Sequence, residues 1–127
     1  MIVLDTHAIV WWLQGNKKLS RTAKRAIDKA PRRGVAAVSL WEIARLVEQG
    51  RIKFDIDVED WLDELLLQDG VHLLPLTAAV SVRATRLGAF HGDPADRLIV
   101  ATALVHGASL VTADAAIQDS GVVTTIW

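Results

Sequence analysis

The sequence contains no cysteine, which excludes disulfide bonds and metal sites built from thiolates. No apolar run is long enough to cross a bilayer, and the first residues lack the charged-then-apolar layout of a secretory signal peptide. The sequence also lacks internal repeats, low-complexity tracts and linkers. We therefore expect one globular domain over residues 1–127, located in the cytoplasm and independent of membranes.

The net charge is close to zero because two opposite excesses cancel. Through Phe54 the chain carries eleven basic residues against four acids, and the remainder carries three against eleven. A basic face over residues 17–33 suits a polyanion, but a solvated helix face balanced by acids elsewhere explains it equally well. The charge distribution alone therefore leaves the type of partner open.

Short apolar runs alternate with amphipathic segments along the whole chain. Strands separated by helices form mostly parallel sheets that are covered on both faces. The sequence therefore predicts the α/β class, with a three-layer α/β/α fold and a mostly parallel central sheet of about five strands. The predicted strands are 2–5, 35–38, 72–74, 110–112 and 122–126, and the predicted helices are 7–14, 20–30, 39–50, 58–67, 78–87, 94–106 and 114–118.

Five acids stand at junctions between these predicted elements. In an open α/β sheet such junctions gather at the carboxyl edge, which is where these folds place their sites. Crowded carboxylates repel one another, and a divalent cation removes the repulsion. Oxygen-only ligands suit Mg²⁺ or Mn²⁺, and such a site can turn water into a nucleophile that attacks a phosphodiester. The five acids are Asp5, Glu42, Asp93, Asp96 and Asp114.

Four of these acids have a structural explanation when they are taken one at a time. The segment SLWE matches a capping box, in which Glu42 returns a hydrogen bond to the start of its own helix. Asp93 is a natural N-cap before a proline, and Asp96 falls where the helix dipole favours an anion. Asp114 can cap the helical turn that follows it. The pattern alone leaves helix capping and metal binding as open alternatives.

Four segments of the chain, in this order and spacing, resemble the PIN domain, and specifically the VapC-type toxin ribonucleases of toxin–antitoxin pairs. The segments are MIVLDTH, VSLWEIARLVEQGRI, HGDPADRLIVATAL and VTAD. The resemblance covers the whole chain, and the combination is more specific than any one segment. It implies a PIN-like fold and an endoribonuclease that depends on Mg²⁺ or Mn²⁺, in which water attacks phosphorus and leaves a 5′-phosphate and a 3′-hydroxyl.

The resemblance also implies a catalytic role for four of the acids. Asp5, Glu42, Asp96 and Asp114 match the acidic quartet of the family. Asp5 and Asp96 would coordinate the metal directly, and Asp114 directly or through water. Glu42 would help to hold a second ion or orient the attacking water. Asp93 matches an additional acid of relatives with the D-P-x-D-R form, and its competing role is that of a helix cap.

Two threonines match hydroxyl positions beside the first and last acids. They are Thr6 and Thr112, and the resemblance implies that Thr112 steadies Asp114 by hydrogen bonding.

The resemblance further implies the partners: an RNA substrate, a cognate antitoxin and a second copy of the chain in a homodimer. The antitoxin tail would cover the side that carries Trp11 and Trp12 and can insert a basic residue near the acids. An alternative is a non-catalytic RNA- or protein-binding module that keeps the PIN-like fold. A signalling receiver-like domain is disfavoured, because only Asp5 follows the first strand and no lysine occurs after Lys53.

Overall fold

A computed structural model describes residues 1–88, 90 and 92–127, so His91 of the segment HGDPADRLIVATAL lies outside the described residues. Within them, five strands and seven helices alternate along the chain. The strands are β1 (Ile2–Leu4), β2 (Arg33–Ala36), β3 (Val71–Leu74), β4 (Ser109–Val111) and β5 (Thr125–Ile126). The helices are α1 (Thr6–Gln14), α2 (Arg21–Lys29), α3 (Ala37–Glu48), α4 (Val58–Leu67), α5 (Ala78–Ala84), α6 (Pro94–Val105) and α7 (Ala115–Ser120).

The five strands form one sheet in the order β3-β2-β1-β4-β5, and all four pairings are parallel. This confirms the predicted α/β class and the parallel sheet of five strands. From β1 the chain adds β2 and β3 on one side and then returns to add β4 and β5 on the other. The order therefore reverses between β1 and β4. In open α/β sheets, the crevice outside the carboxyl ends of two such strands is the usual ligand site.

Neighbouring residues within the strands point to opposite faces of the sheet, and each face is covered by its own apolar core. Val3 of β1 packs in one core, with Ile99 and Val100 of α6. The next residue, Leu4, packs in the other core, with Ile9 of α1 and Ile43 of α3. All six side chains are at most 1% exposed. The two cores give the three-layer arrangement and hold the first turns of α1, α3 and α6 at the carboxyl edge.

Helix α6 begins as the sequence predicts. Asp93 is its N-cap, and its Oδ1 accepts a hydrogen bond from the backbone N–H of Asp96 at 2.8 Å. Pro94 occupies the first turn, where its missing N–H has no partner to lose. The body of the helix is deeply buried, as its nearly continuous apolar sequence indicates.

The start of α3 differs from the prediction. The helix begins at Ala37 with Ala36 as N-cap, and no side chain caps it, so the predicted N-terminus at Ser39 is wrong. The reason is that β2 starts early, because the main chain of Arg33 pairs with both Ile2 and Val71. The strand then runs directly into the helix. In the described ranges, every helix is too short or too polar to reach across a lipid bilayer.

Candidate active site

Four of the five predicted acids line one cavity of about 410 Å³ at the carboxyl edge of the sheet. Asp5 follows β1 and Asp114 follows β4, so they flank the crevice at which the strand order reverses. Glu42 lies in the second turn of α3, and Asp96 lies in the first turn of α6. Four separate parts of the chain thus meet in one place, as expected for junctions that follow parallel strands.

The carboxylate of Asp5 is held in a fixed orientation. The residue is only 4% exposed, and both of its carboxylate oxygens accept hydrogen bonds. Oδ1 accepts from the backbone N–H of Thr6 at 2.8 Å, and Oδ2 accepts from the hydroxyl of Thr112 at 2.7 Å. Asp5 is therefore also the N-cap of α1, a role that the sequence did not predict. Each oxygen keeps a further lone pair for another ligand.

Thr112 connects the ends of β1 and β4. Its hydroxyl donates to Asp5, and the same oxygen accepts from the backbone N–H of Asp114 at 3.0 Å. The predicted contact with Asp114 therefore involves the main chain, whereas the side chain that Thr112 orients is that of Asp5. Asp114 also caps α7, because its Oδ1 accepts from the N–H of Ile117 at 3.1 Å. Asp114 can therefore cap a helix and line the cavity at the same time.

Glu42 does not form the capping box that the sequence allowed. Its Oε1 instead accepts a short hydrogen bond from the hydroxyl of Thr6 on α1. The same hydroxyl is hydrogen-bonded to Ser39, which is fully buried inside α3, at 3.2 Å. Burial raises the pKa of Glu42, the negative charges of Asp5 and Asp93 add to that effect, and the bond from Thr6 opposes it. The residue therefore faces the cavity and not its own helix start.

Asp93 is a helix cap and also belongs to the acidic cluster. One carboxylate oxygen from each of Glu42, Asp93 and Asp96 lies within 4.8 Å of the other two. Asp93 is the exposed member of this trio, whereas Glu42 and Asp96 both line the cavity with Asp5 and Asp114. Asp93 thus lies at the outer side of the cluster.

The cluster carries negative charge that the described residues do not neutralise. Burial, and after it the negative charges of the four other acids, raise the pKa of Asp96 to about 7. Within the described ranges, the only ion pair between a lysine or arginine and a carboxylate joins Lys24 to Asp28, outside the cluster. Nδ1 of His7 lies 3.8 Å from Oδ2 of Asp5, and the ring is a cation only when it is protonated. Carboxylates that share a partly buried site without a cationic partner fit a divalent cation with hard oxygen ligands.

His7 is a residue of the site that sequence reasoning did not assign, because no second histidine stands at a ligand spacing. Its Nε2 accepts a hydrogen bond from the backbone N–H of Ala113 at 2.8 Å, so the proton of the neutral ring sits on Nδ1, which faces Asp5. Its ring packs against those of Trp11 and Trp127, with centroid distances of 5.0 and 6.0 Å. The sequence signal that could have identified His7 was its position two residues after Asp5.

Arg97 positions the segment that leads into α6. Its Nε donates to the carbonyl of Ala84 at 3.0 Å, and its Nη1 donates to the carbonyl of Phe90 at 2.6 Å. The guanidinium therefore holds main chain beside the acids and leaves their charge unpaired.

Comparison with known proteins agrees with this arrangement. The family model described as "PIN domain" matches residues 2–121. Ribonuclease VapC22 from Mycobacterium tuberculosis is 44% identical over 114 residues, which are 89% of this chain and 86% of that protein.

Solved structures with the same fold include VapBC2 from Rickettsia felis bound to a DNA fragment from its promoter. It aligns with a TM-score of 0.72 and 18% identity over 98% of this chain and 97% of that chain. FitAcB from Neisseria gonorrhoeae aligns with a TM-score of 0.65 and 18% identity over 98% and 96% of the two chains. Identities this low establish the fold alone. The family model and the relative covered along most of its length go further: this chain belongs to the PIN domain family and, within it, to the VapC group.

Proposed function

We propose that this protein is a metal-dependent endoribonuclease and the toxin component of a toxin–antitoxin pair. The proposal rests on the cavity at the switch point of the sheet, where Asp5, Glu42, Asp96 and Asp114 meet. Among the described residues, no lysine or arginine forms an ion pair with any of the four. The 44% identity to a protein named Ribonuclease VapC22 supports RNA as the substrate.

Asp5 and Asp96 are the residues that would hold Mg²⁺ or Mn²⁺ directly, and Asp114 would do so directly or through water. Glu42 would help to hold a second ion or orient the attacking water, and Asp93 would act from the outer side of the cluster. When bound, a cation of this kind lowers the pKa of a water molecule and offsets the charge of the phosphodiester. The carboxylate trio of Glu42, Asp93 and Asp96 supports the roles of these three residues. The roles of Asp5 and Asp114 are supported by their place in the same cavity.

The contribution of the chain itself is orientation. The hydroxyl of Thr112 fixes the carboxylate of Asp5, and the hydroxyl of Thr6 fixes that of Glu42 on the facing helix. A phosphate of the RNA in the cavity would then meet two carboxylates whose orientation is held by these hydrogen bonds. The oxygen of water attacks phosphorus, the bond between phosphorus and the 3′-oxygen breaks, and that oxygen takes up the proton that the water releases. The products are a 5′-phosphate and a 3′-hydroxyl.

We also propose a cognate antitoxin as partner, a homodimer and a cytoplasmic location. Support for the antitoxin comes from solved structures of the same fold, one of which is described as a toxin–antitoxin complex from Klebsiella pneumoniae, with a TM-score of 0.65 and 17% identity. The homodimer and the location follow from the family resemblance and from the composition.

Cleavage of a labelled single-stranded RNA by the purified protein tests the proposal. We expect cleavage in Mg²⁺ or Mn²⁺, none in EDTA, and recovery when the cation is restored. Asp5→Asn and Asp96→Asn should each lower the rate at least about a hundredfold, since each removes a ligand charge from the site. Asp63→Asn is the matched control, because Asp63 is exposed on α4 and should leave the rate unchanged.

Retained cleavage in both site variants would reject the site. RNA binding without turnover under every metal condition would favour the non-catalytic module instead.

A further inference from the structure

The acid cavity also has a basic wall, which is formed by lining side chains other than the carboxylates. Three cations line it, namely Lys18 from the connection between α1 and α2, and Arg51 and Lys53 from the segment after α3. All three side chains are exposed. Among the described residues, none of the three forms an ion pair with a carboxylate, although four acids line the same cavity. These cations are therefore free to bind an anion that enters the site.

An aromatic ring stands beside the basic wall. Trp11 lines the cavity, and the Nζ of Lys18 lies 5.9 Å from the centroid of its ring. The ring of Trp11 also packs against the rings of His7 and Trp127, with centroid distances of 5.0 and 5.8 Å. These contacts fix its orientation. An immobilised aromatic face beside a cation suits a nucleotide, because the base stacks on the ring while its phosphate pairs with the charge.

A second hollow of about 460 Å³ continues from the first. The two share Trp11 and Asn16 as lining residues. The charged residues that line the second hollow are all cations, namely Lys17, Arg21 and Lys24. Lys24 is paired with Asp28 at 2.7 Å. The indole of Trp12 also lines this hollow. Both aromatic rings and cations therefore line the continuous path that the two hollows form.

We propose that this path, formed by Lys18, Arg51 and Lys53 in the acid cavity and continued past Trp11 towards α2, is the binding track for the single-stranded RNA substrate. The proposal rests on the nuclease function proposed above and assigns its substrate-binding residues. RNA fits better than an acidic peptide, because the path offers aromatic rings for bases as well as cations for phosphates. Unpaired bases are also the part of RNA that proteins can stack on aromatic side chains.

Binding of a short fluorescein-labelled single-stranded RNA of mixed sequence, measured by anisotropy in EDTA, tests the track without cleavage. The double variant Arg51→Gln/Lys53→Gln should raise Kd roughly tenfold at moderate salt. It should also lower the slope of log Kd against log salt by about 1.4, which corresponds to about 0.7 for each lost phosphate contact on a single strand. Lys18→Gln should add to both effects.

Arg83→Gln/Arg86→Gln is the matched control, since it removes two exposed positive charges that line a separate hollow with Val82 and Val105. It should leave Kd and the salt slope close to those of the parent protein. Equal weakening in the two double variants, or no weakening in either, would overturn the track. So would a polyglutamate peptide that binds as tightly as the RNA and depends equally on Arg51 and Lys53, because the surface would then be an acidic-peptide site.

The failure of this proposal is distinguishable from failure of the nuclease function. Anisotropy in EDTA needs neither a cation nor turnover. If Asp5→Asn and Asp96→Asn still cleaved RNA while the track variants lost binding, the catalytic assignment alone would fall. If metal-dependent cleavage held but Arg51→Gln/Lys53→Gln bound RNA like the parent, the track alone would fall.

Discussion

Two threonine hydroxyls determine how the acids of the site are oriented. Thr6 donates to Glu42, and Thr112 donates to Asp5, so each hydroxyl crosses from one element of the fold to another. The sequence indicated both positions through family resemblance. It indicated Asp114 as the partner of Thr112, whose contact proves to be with the main chain. It did not indicate Asp5, because Thr112 and Asp5 are 107 positions apart and meet only when β1 and β4 pair.

Replacing Thr112 with valine should show what its hydroxyl contributes. Thr112→Val keeps the shape but leaves the buried Oδ2 of Asp5 and the N–H of Asp114 without their partner. We expect a loss of about 1–3 kcal/mol in the free energy of unfolding, the usual cost of an unsatisfied buried polar group. The cleavage rate should fall roughly tenfold, as for other groups that orient a metal ligand. Denaturant unfolding and RNA cleavage measure the two effects.

Thr112→Ser is the control for this substitution, because it retains the hydroxyl and removes only a methyl group. If the serine variant lost as much activity as the valine variant, the hydroxyl would not be the group that matters.

At the level of helices and strands, local sequence rules succeed at α6 and fail at α3. Asp93 and the proline after it predicted the start of α6 because the cap and the first turn depend on adjacent residues. The Ser-x-x-Glu pattern at Ser39 and Glu42 mispredicted the start of α3. Pairing of β2 with two neighbouring strands sets where the strand ends, and no local pattern carries that information.

Two substitutions at Asp93 separate its capping role from its charge. Asp93→Ser retains a capping oxygen for the N–H of Asp96, so the free energy of unfolding should change by only a few tenths of a kcal/mol. Asp93→Ala removes the cap and should cost about 1 kcal/mol. Both remove the carboxylate, so both should weaken Mn²⁺ binding by the same factor. Denaturant unfolding in EDTA and calorimetric titration with Mn²⁺ measure the two quantities.

If the serine variant bound Mn²⁺ as tightly as the parent protein, the carboxylate of Asp93 would act only as a helix cap.

The whole molecule brings the site together through its strand order. The sequence predicted five strands, their parallel arrangement and the acids that follow them. It could not predict that β4 adds beside β1, and this adjacency places Asp114 against Asp5 at the switch point. Nor could it predict the basic wall, since Lys18, Arg51 and Lys53 are brought to one cavity by tertiary packing and not by any shared motif.

Gathering acids at one edge should make the metal-free protein less stable as pH rises. Asp96 has a pKa raised from 3.8 to about 7 in the folded protein, mainly by burial and then by the other acids. The native state therefore binds more protons than the unfolded state between these values, and the free energy of unfolding falls as pH increases from about 4 to 7. Glu42, whose pKa is also raised, changes stability in the same direction.

Asp96→Asn should remove most of this slope. In EDTA at pH 8 the variant should melt roughly 3–6 °C above the parent protein, a change of about 1 kcal/mol for a domain of this size. The figure is smaller than the full pKa shift implies, because Asp96 is only half buried and solvent screens its charge. At pH 4 the two proteins should melt together. Thermal unfolding of both proteins across this pH range measures the difference. If melting temperature changed with pH in the same way for the two proteins, the expectation would be contradicted.

The hydrogen bond between Thr112 and Asp5 joins two residues that are synthesised at very different times. The hydroxyl that orients the first acid is synthesised 107 positions after it. A nascent or truncated polypeptide that stops before that threonine lacks the group that fixes its leading carboxylate. Synthesis must therefore proceed past that threonine before the pocket can assemble in full.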